Sequence, residues 1–391
     1  MRIAIIGGGA SGLYSAILLQ KKHQDAEIVV FEKETKIGRK LYATGNGHCN
    51  LLNAAIRPEA FNDPAWIAPY LKRYPFSSLE KTLNDWGVET LHEGDYVYPL
   101  SYSAATYVGF LTQIATGLGV KFVPGVRVLD YQAKASGFCL KTDANPSSID
   151  LVFDKIVIAV GGASSPKLGS DGKSVSFWRL HGYDLVPFEP GLAPLKILHP
   201  DILKGMAGYR HEARVRLLSK EGKALYEEEG EVLFKEDGLS GIVIFNVESA
   251  YLRLGKPIEA EISLDLFPHE KEEELAKRLS NDRKKNPSFY LDAYLPKDVQ
   301  AHFRKGMKGD EASFLASKLK DDRYLISGVY GFDSSQVSIG GVRLSEVDAQ
   351  LQSRREKGVY FVGEALNIDG FCGGFNLSWA LLSALILEEG L

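Results

Sequence analysis

The stretch that decides the fold is residues 1–32, MRIAIIGGGASGLYSAILLQKKHQDAEIVVFE. Residues 2–6 form an apolar, β-branched run, which is typical of a strand buried on both faces. Three glycines follow at once, and then come the apolar stripe of a helix, a second apolar run at residues 27–31 and the acidic residue Glu32. This order predicts a Rossmann-type β–α–β unit at the start of the chain.

The three glycines have the G-x-G-x-x-G spacing, at Gly7, Gly9 and Gly12. The first permits a tight turn, the second lets the backbone approach a pyrophosphate, and the third lets the helix pack close to the strand. The helix N-terminus offers free N–H groups to the phosphates, and Glu32 can accept hydrogen bonds from an adenosine ribose. The pattern therefore predicts an adenine dinucleotide site. The alternative is a glycine-rich strand-to-helix turn that binds nothing.

The composition bounds the class of protein. With 391 residues, two or three domains are expected, and an apolar fraction of 45% is ample for their cores. The net charge of −4, with acids and bases interspersed, predicts no cluster of basic residues that would bind nucleic acid or an anionic membrane.

The cysteines and the termini exclude other classes. Three widely spaced cysteines without a C-x-x-C pair argue against a zinc site or a disulfide oxidoreductase, so no metal is expected. The first strand begins at once and no apolar run is long enough to cross a bilayer, so we expect a cytoplasmic protein without a signal peptide.

The loop after Glu32 is rich in glycine, asparagine, threonine and basic residues, and it leaves the sheet edge that carries the dinucleotide. Arg39 and Lys40 can neutralise the pyrophosphate, and the amides and hydroxyls of residues 44–50 can contact a flavin ring. His48 lies in this loop and can exchange a proton near neutral pH, as a base for an ammonium substrate. The alternative is a hydrogen-bonding loop histidine. Cys49 is expected to be a small packed residue rather than a nucleophile.

A second strand–loop–helix unit closes the chain. Residues 358–364 (GVYFVGE) read as a buried strand, and DGFCGGFNL at 369–377 leads into a last helix. The N-terminus of such a helix can stabilise the negative charge of a reduced flavin. Because NAD would need no matched C-terminal unit, the two ends together predict FAD. The alternative is an ordinary βα unit whose glycines serve only the turn.

The loop at residues 38–53 resembles the G-R-K-L-x-x-[ST]-G-x-G-x-C-N-x-x-N signature of the aminoacetone oxidase-like (BaiN/YhiN-like) FAD-binding flavoproteins. The C-terminal segment resembles their F-x-G-E-x-x-x-x-D-G-x-x-G-G-[YF]-N-L, and residues 337–342 their T-x-G-G-V. The sequence departs at His48 (usually Arg), Leu52 (commonly Thr) and Ser378 (usually Gln). Residues 159–161 resemble the A-T-G motif near the cofactor, with Val160 in place of Thr.

The resemblance completes the predicted fold class, α/β. A Rossmann-type FAD-binding domain is built from both chain ends, residues 1–188 and 335–391. A β-rich substrate domain is inserted at 189–266 and 323–334, and a small helical domain at 267–322. Charge runs within the helical insert are expected to be solvated helix faces.

The resemblance also implies roles for site residues. The strand holding Val128 meets the adenine, Gly161 lies near the cofactor, Glu364 or Asp369 binds ribityl hydroxyls, and residues 374–377 lie along the flavin. The full set of predicted cofactor-binding residues is Gly7, Gly9, Ala10, Ser11, Gly12, Glu32, Lys33, Arg39, Lys40, Thr44, Asn46, Cys49, Asn50, Val128, Gly161, Gly363, Glu364, Asp369, Gly374, Phe375, Asn376 and Leu377.

The activity implied by the resemblance is oxidation of a small amine such as aminoacetone. Hydride passes to flavin N5, the imine is hydrolysed, and dioxygen reoxidises the flavin to give hydrogen peroxide. The first alternative is an NAD(P)H-dependent reductase of an unsaturated ketone. A flavin-bound regulatory protein without turnover is a further alternative, which the charge balance disfavours.

Overall fold

The computed structural model describes residues 1–135, 137–144 and 150–391, with residues 175–177 described as backbone. The chain divides into two units, Met1–Gly191 with Ser335–Leu391, and Leu192–Ser334. The predicted domain boundaries, and the independence of the helical insert 267–322, stay predictions.

Among the described residues of the first unit, eleven strands and five α-helices come before the second unit. The strands are β1 (Arg2–Ile6), β2 (Glu27–Glu32), β3 (Leu52–Asn53), β4 (Thr90–Glu93), β5 (Tyr96–Pro99), β6 (Lys121–Pro124), β7 (Val128–Lys134), β8 (Gly137–Thr142), β9 (Val152–Phe153), β10 (Lys155–Ile158) and β11 (Leu185–Gly191). The helices are α1 (Ala10–Lys22), α2 (Pro64–Arg73), α3 (Phe76–Asn84), α4 (Ala104–Gly117) and α5 (Ser174–Leu180).

The second unit is a closed six-stranded antiparallel barrel with four helices. Its strands are β12 (Leu195–Ile197), β13 (Arg210–Leu218), β14 (Ala224–Phe234), β15 (Gly238–Ser240), β16 (Glu261–Asp265) and β17 (Asp322–Val329), joined in the order β12-β15-β14-β13-β16-β17. Its helices are α6 (Ile242–Arg253), α7 (Glu272–Lys285), α8 (Lys297–Arg304) and α9 (Glu311–Lys320). Helix residues such as Leu275 and Leu315 share one apolar core with barrel residues such as Val215 and Ile262.

The chain then completes the first unit with β18 (Val337–Val342), β19 (Val359–Phe361) and α10 (Phe375–Gly390). Strand β18 pairs antiparallel with β11, so the strands that leave and re-enter this unit lie side by side.

The centre of the first unit is a parallel sheet in the order β19-β10-β1-β2-β6. Residues 3–6 of β1 and 28–31 of β2 are buried, as expected for a parallel sheet covered on both faces. The predicted Rossmann-type α/β fold is confirmed. Because all five strands run the same way, their carboxyl ends, and the loops that follow them, meet at one edge.

Helices α1 and α10 pack against each other. Helix α10 is buried along most of its length, from Ser378 to Leu387, which explains why its sequence is apolar on every side. The two chain ends therefore form one core, and the turns that precede the two helices come together beside the sheet edge.

Candidate functional site

The turn after β1 is shaped by glycine packing. A methyl group on Gly7 would overlap the carbonyl oxygen of Ala159, and one on Gly12 would overlap the carbonyl oxygen of Gly7. At Gly9 no atom lies within 4 Å of the place a methyl group would take. Two glycines thus let the backbone close on itself, and the third leaves open space beside the first turn of α1. This is the room that a pyrophosphate needs.

Glu32 ends β2 beside that turn. Its carboxylate accepts hydrogen bonds from the backbone N–H of Gly8 and of Glu34, each at 2.8 Å. Burial raises the pKa of Glu32, while the two N–H groups act against that rise. Two backbone donors therefore hold the carboxylate in place, and its remaining lone pairs can accept from ribose hydroxyls.

The neighbouring basic residues are held by ion pairs. Asp171 binds Lys33 at 2.8 Å and Arg127 at 2.9 Å. Burial alone would raise the pKa of Asp171, but these hydrogen bonds lower it to about 2. The N–H of Val126 donates to the Glu32 carbonyl at 3.0 Å. The start of the strand predicted to meet the adenine therefore lies beside the predicted ribose-binding residue.

The loop at residues 41–50 is a strained turn. Gly45, Asn46 and Cys49 all have left-handed backbone, with φ of 54°, 53° and 61°. Such conformations cost of order 1–3 kcal/mol for ordinary residues and concentrate at functional sites. Cys49 is fully buried, and burial raises the pKa of its thiol to about 11. The thiol stays protonated and packs in the core.

His48 is fixed against Tyr102. The ring centroids lie 4.1 Å apart in a stacked arrangement, and His48 Nδ1 lies 3.0 Å from the Tyr102 carbonyl oxygen. Because a carbonyl only accepts, Nδ1 carries the hydrogen of this contact, and Nε2 is the ring nitrogen outside it.

Tyr98 borders the same turn. Its ring lies 3.8 Å from the place that a methyl group on Gly45 would take, and 5.0 Å from the Tyr102 ring. Burial raises the pKa of Tyr98. Its hydroxyl therefore remains a hydrogen-bond donor at neutral pH.

The C-terminal segment meets both N-terminal stretches. A methyl group on Gly363 would lie 2.6 Å from Ser11 Oγ, at the start of α1, and one on Gly374 would overlap the Leu52 carbonyl oxygen. Asn53 donates to the Gly373 carbonyl at 2.7 Å. The three predicted stretches, residues 7–12, 39–50 and 363–377, thus lie together.

Lys40 and Glu364 form an ion pair across this junction, with Nζ 3.0 Å from the carboxylate. Glu364 also accepts from the backbone N–H of Ser338 at 2.5 Å. Arg39 instead pairs with Glu34. Lys40 is therefore the basic residue of the loop that reaches the C-terminal segment.

The Asn376 side chain holds the loop that precedes α10. Its side chain accepts from the N–H of Gly370 and donates to the carbonyl of Gly370, both at 2.9 Å. Asp369 and Phe375 are buried, and the Phe375 ring packs edge-on against Phe61. The Asn50 amide faces the carbonyl oxygens of Leu52 and Val97.

Sequence reasoning missed Ser338. Its hydroxyl accepts from the N–H groups of Ala163 at 2.6 Å and Ser164 at 2.9 Å, which fixes the turn after β10 beside Gly161. The available signal was a polar residue inside the apolar, glycine-rich stretch 337–342.

The described residues contain no group of three or more His, Cys, Asp or Glu side chains that could hold a metal ion. No helix in the described part of the chain is long and apolar enough to span a bilayer. The open backbone at Gly9, the held carboxylate of Glu32, the helix N-termini and the Lys40–Glu364 pair fit the diphosphate and sugar groups of FAD.

Comparison with known proteins extends this result. The family model described as the HI0933-like protein Rossmann domain matches residues 1–389. The 3-dehydro-bile acid delta(4,6)-reductase of Clostridium scindens is 32% identical, over 97% of this chain and 96% of its own length. The ribosomal RNA dihydrouridine synthase of Escherichia coli is 26% identical, over 99% of this chain and 97% of its own length.

Among solved structures, the 3-ketosteroid delta1-dehydrogenase of Sterolibacterium denitrificans superposes with a TM-score of 0.52 at 11% identity, covering 100% of this chain and 99% of that one. This likeness concerns the fold. Since the family model spans nearly the whole chain, this protein belongs to the HI0933-like Rossmann family of flavin-dependent oxidoreductases, and its cofactor is FAD.

Proposed function

We propose that this protein reduces a carbon–carbon double bond conjugated to a carbonyl group. The observation that carries the proposal is the 32% identity, over nearly the full length, to a relative named as a bile acid reductase. The second relative is named for making dihydrouridine, which differs from uridine by two hydrogens on a double bond conjugated to a carbonyl. The shared chemistry supports the proposal of a reductase, the first alternative from sequence, over an amine oxidase.

The turn at Gly9, the Glu32 carboxylate and the C-terminal segment would hold FAD, which, once reduced by a nicotinamide, would supply hydride to the β-carbon of the double bond. One proton must then reach the α-carbon, so that two electrons and two hydrogens are added in all. The chain has to provide that proton and to polarise the carbonyl.

His48 is the proposed proton donor. The Tyr102 carbonyl holds the Nδ1 hydrogen, so the proton that is exchanged sits on Nε2. In an amine oxidase the same nitrogen would accept a proton from the ammonium group. His48 therefore suits both hypotheses and does not discriminate between them.

Tyr98 is the proposed partner of the substrate carbonyl. Its raised pKa keeps the phenol protonated, and a hydrogen bond from a neutral donor to the carbonyl oxygen stabilises the enolate that forms when hydride arrives. Its ring borders the strained turn that carries His48. The net charge of −4 favours a small molecule over an RNA substrate.

The test is an anaerobic half-reaction sequence followed at the flavin absorbance bands. NADPH or NADH should bleach the purified yellow protein, and a cyclic α,β-unsaturated ketone should restore the colour without oxygen. Tyr98→Phe should slow that reoxidation by about tenfold or more and leave bleaching by the nicotinamide unchanged. An enone that fails to reoxidise the bleached flavin would contradict the proposal.

The amine oxidase remains a second candidate because the sequence contains no second G-x-G-x-x-G fingerprint for a nicotinamide. The matched experiment adds aminoacetone to the oxidised protein without oxygen and follows bleaching of the flavin. If aminoacetone bleaches the flavin and NADPH does not, the oxidase replaces the reductase.

A further inference from the structure

We propose that Ser170, which belongs to none of the predicted motifs, is a ligand of FAD. Its hydroxyl donates a hydrogen bond to an oxygen of the cofactor between the adenosine and the flavin ring. The proposal rests on the presence of FAD and is independent of whether the enzyme is a reductase or an oxidase.

The first observation is an unsatisfied hydroxyl. Ser170 is 6% exposed, and its Oγ has no hydrogen-bond partner among the described residues. A buried polar group without a partner loses its hydration and gains nothing in return, which costs of order 1–3 kcal/mol. Such groups are rare in folded proteins, and a bound ligand that accepts the hydrogen bond accounts for one.

The second observation is where the hydroxyl lies. Ser170 Oγ and Glu364 Oε2 each lie 3.7 Å from the place that a methyl group on Gly161 would take. Glu364 is paired with Lys40 and belongs to the C-terminal segment of the site. The hydroxyl therefore opens onto the junction where the loops after β10 and β19 meet.

The third observation is that the loop is anchored directly after Ser170. Asp171 binds Lys33 and Arg127, which follow β2 and precede β7. The N–H of Gly172 donates to the Gly162 carbonyl at 3.2 Å. Anchors on the next two residues fix the hydroxyl in a ready position, so little conformational entropy is lost when it binds.

The occupant that fits is the polar chain of FAD. The partner must accept a hydrogen bond and must lie at the carboxyl edge of the parallel sheet, where the dinucleotide binds. Diphosphate oxygens and ribityl hydroxyl oxygens both satisfy this. ADP contains only the first of them, so it separates the two cases.

The experiment titrates FAD, and separately ADP, into cofactor-free wild-type protein, Ser170→Ala and Ser249→Ala, with heat or fluorescence as the readout. Ser249 is a matched control because it is also buried, and its hydroxyl also lacks a partner among the described residues, but it lies on α6 in the other unit. We expect Ser170→Ala to weaken FAD binding about tenfold, the value of one hydrogen bond to an oxygen of the cofactor, and Ser249→Ala to leave it unchanged.

The titration with ADP shows which oxygen of FAD accepts the hydrogen bond from Ser170. An equal loss for ADP indicates the diphosphate, and a loss confined to FAD indicates the ribityl chain. Thermal unfolding of the cofactor-free proteins adds a readout that a structural role would move. Ser170→Ala should melt at or above the wild-type temperature, because a hydroxyl without a partner has been removed.

Two results would overturn the proposal. One is FAD affinity within twofold of wild type in Ser170→Ala, as expected if the hydroxyl binds only buried water. The other is a clear fall in the melting temperature of cofactor-free Ser170→Ala, which would show that the hydroxyl supports the fold itself.

Discussion

The two strand–turn–helix units of the predicted cofactor site hold the turn between strand and helix by different contacts. In the N-terminal unit, α1 begins three residues after Gly7, and the turn is held by glycine backbone packed on backbone. In the C-terminal unit, eleven residues separate Gly363 from the start of α10 at Phe375, and polar side chains hold the turn. Asn376 bonds Gly370, and Asn53 bonds Gly373.

The difference shows which parts of a site local sequence can encode. The N-terminal turn is held mainly by close backbone contacts, of Gly12 with Gly7 and of Gly7 with Ala159, which require glycine at those positions. A turn held by side chains needs partners from elsewhere in the chain, here from the loop that carries Asn50 and Asn53. The C-terminal turn should therefore respond more strongly than the N-terminal turn to the loss of polar side chains elsewhere in the chain.

The largest effect is expected where glycine contacts backbone. Gly12→Ala and Gly374→Ala should each lower the free energy of unfolding of the cofactor-free protein by about 3 kcal/mol, because the added methyl overlaps a carbonyl oxygen. Urea denaturation followed by circular dichroism measures this. Gly109→Ala is the control, since Gly109 lies within α4 with no atom within 4 Å of the added methyl, and it should stabilise by about 0.5 kcal/mol. Equal stability of Gly12→Ala and wild type would refute the packing role.

Gly9→Ala should separate binding from folding. The methyl meets no protein atom, so the free energy of unfolding of the cofactor-free protein should change by less than about 1 kcal/mol. The same methyl occupies the space predicted for the pyrophosphate, and FAD affinity should fall by about a hundredfold. Titration with FAD followed by flavin fluorescence measures the second effect. A loss of stability like that of Gly12→Ala, with FAD affinity retained, would mean that Gly9 serves the fold.

Much of the N-terminal unit could be predicted because its determinants are contiguous. Strand residues 2–6, the three glycines and Glu32 follow one another within 32 positions, and the structure finds β1, α1 and β2 there. The resemblance of both chain ends to one family then predicted that the cofactor is FAD.

What could not be predicted depends on long-range contacts. The sequence offers no reason for Asp171 to meet Lys33 or for Ser338 to bond the turn at Ala163, because more than a hundred residues separate each pair. Asn376 was predicted to lie along the flavin, and its side chain also clamps Gly370. The sequence predicted a β-rich domain but not its six-stranded barrel, since closure depends on the pairing of β12 with β17.

A smaller effect is expected from the side-chain clamp of the C-terminal turn. Asn376→Ala removes hydrogen bonds to the Gly370 N–H and to the carbonyls of Gly370 and Phe371. The free energy of unfolding should fall by about 1–2 kcal/mol. Amide hydrogen exchange should quicken at residues 370–375 and stay unchanged at residues 7–12. Faster exchange in both turns would show that the two units open together.

The smallest effect is expected when the pH is lowered. It should reduce the free energy of unfolding through Asp171, which pairs with Lys33 just after β2. The pKa of Asp171 is about 2 in the folded protein and about 4 in an unfolded chain, so its pairing stabilises the fold above about pH 4. That stability is lost as the pH falls towards 2, when the carboxylate takes up a proton in the folded state as well. Because the side chain is 22% exposed and solvent screens the pairs, we expect about 1 kcal/mol at pH 7.

Asp171→Asn should therefore lower the free energy of unfolding by about 1 kcal/mol at pH 7 and should match wild type near pH 2. Urea denaturation at a series of pH values checks this, with Asp333→Asn, an exposed carboxylate, as the control. If the variant and the wild type still differ at pH 2, the loss comes from the shape of the loop and the charge of Asp171 contributes little. If they converge, the charge of Asp171 accounts for the loss, and its pairs with Lys33 and Arg127 stabilise the segments that follow β2 and precede β7.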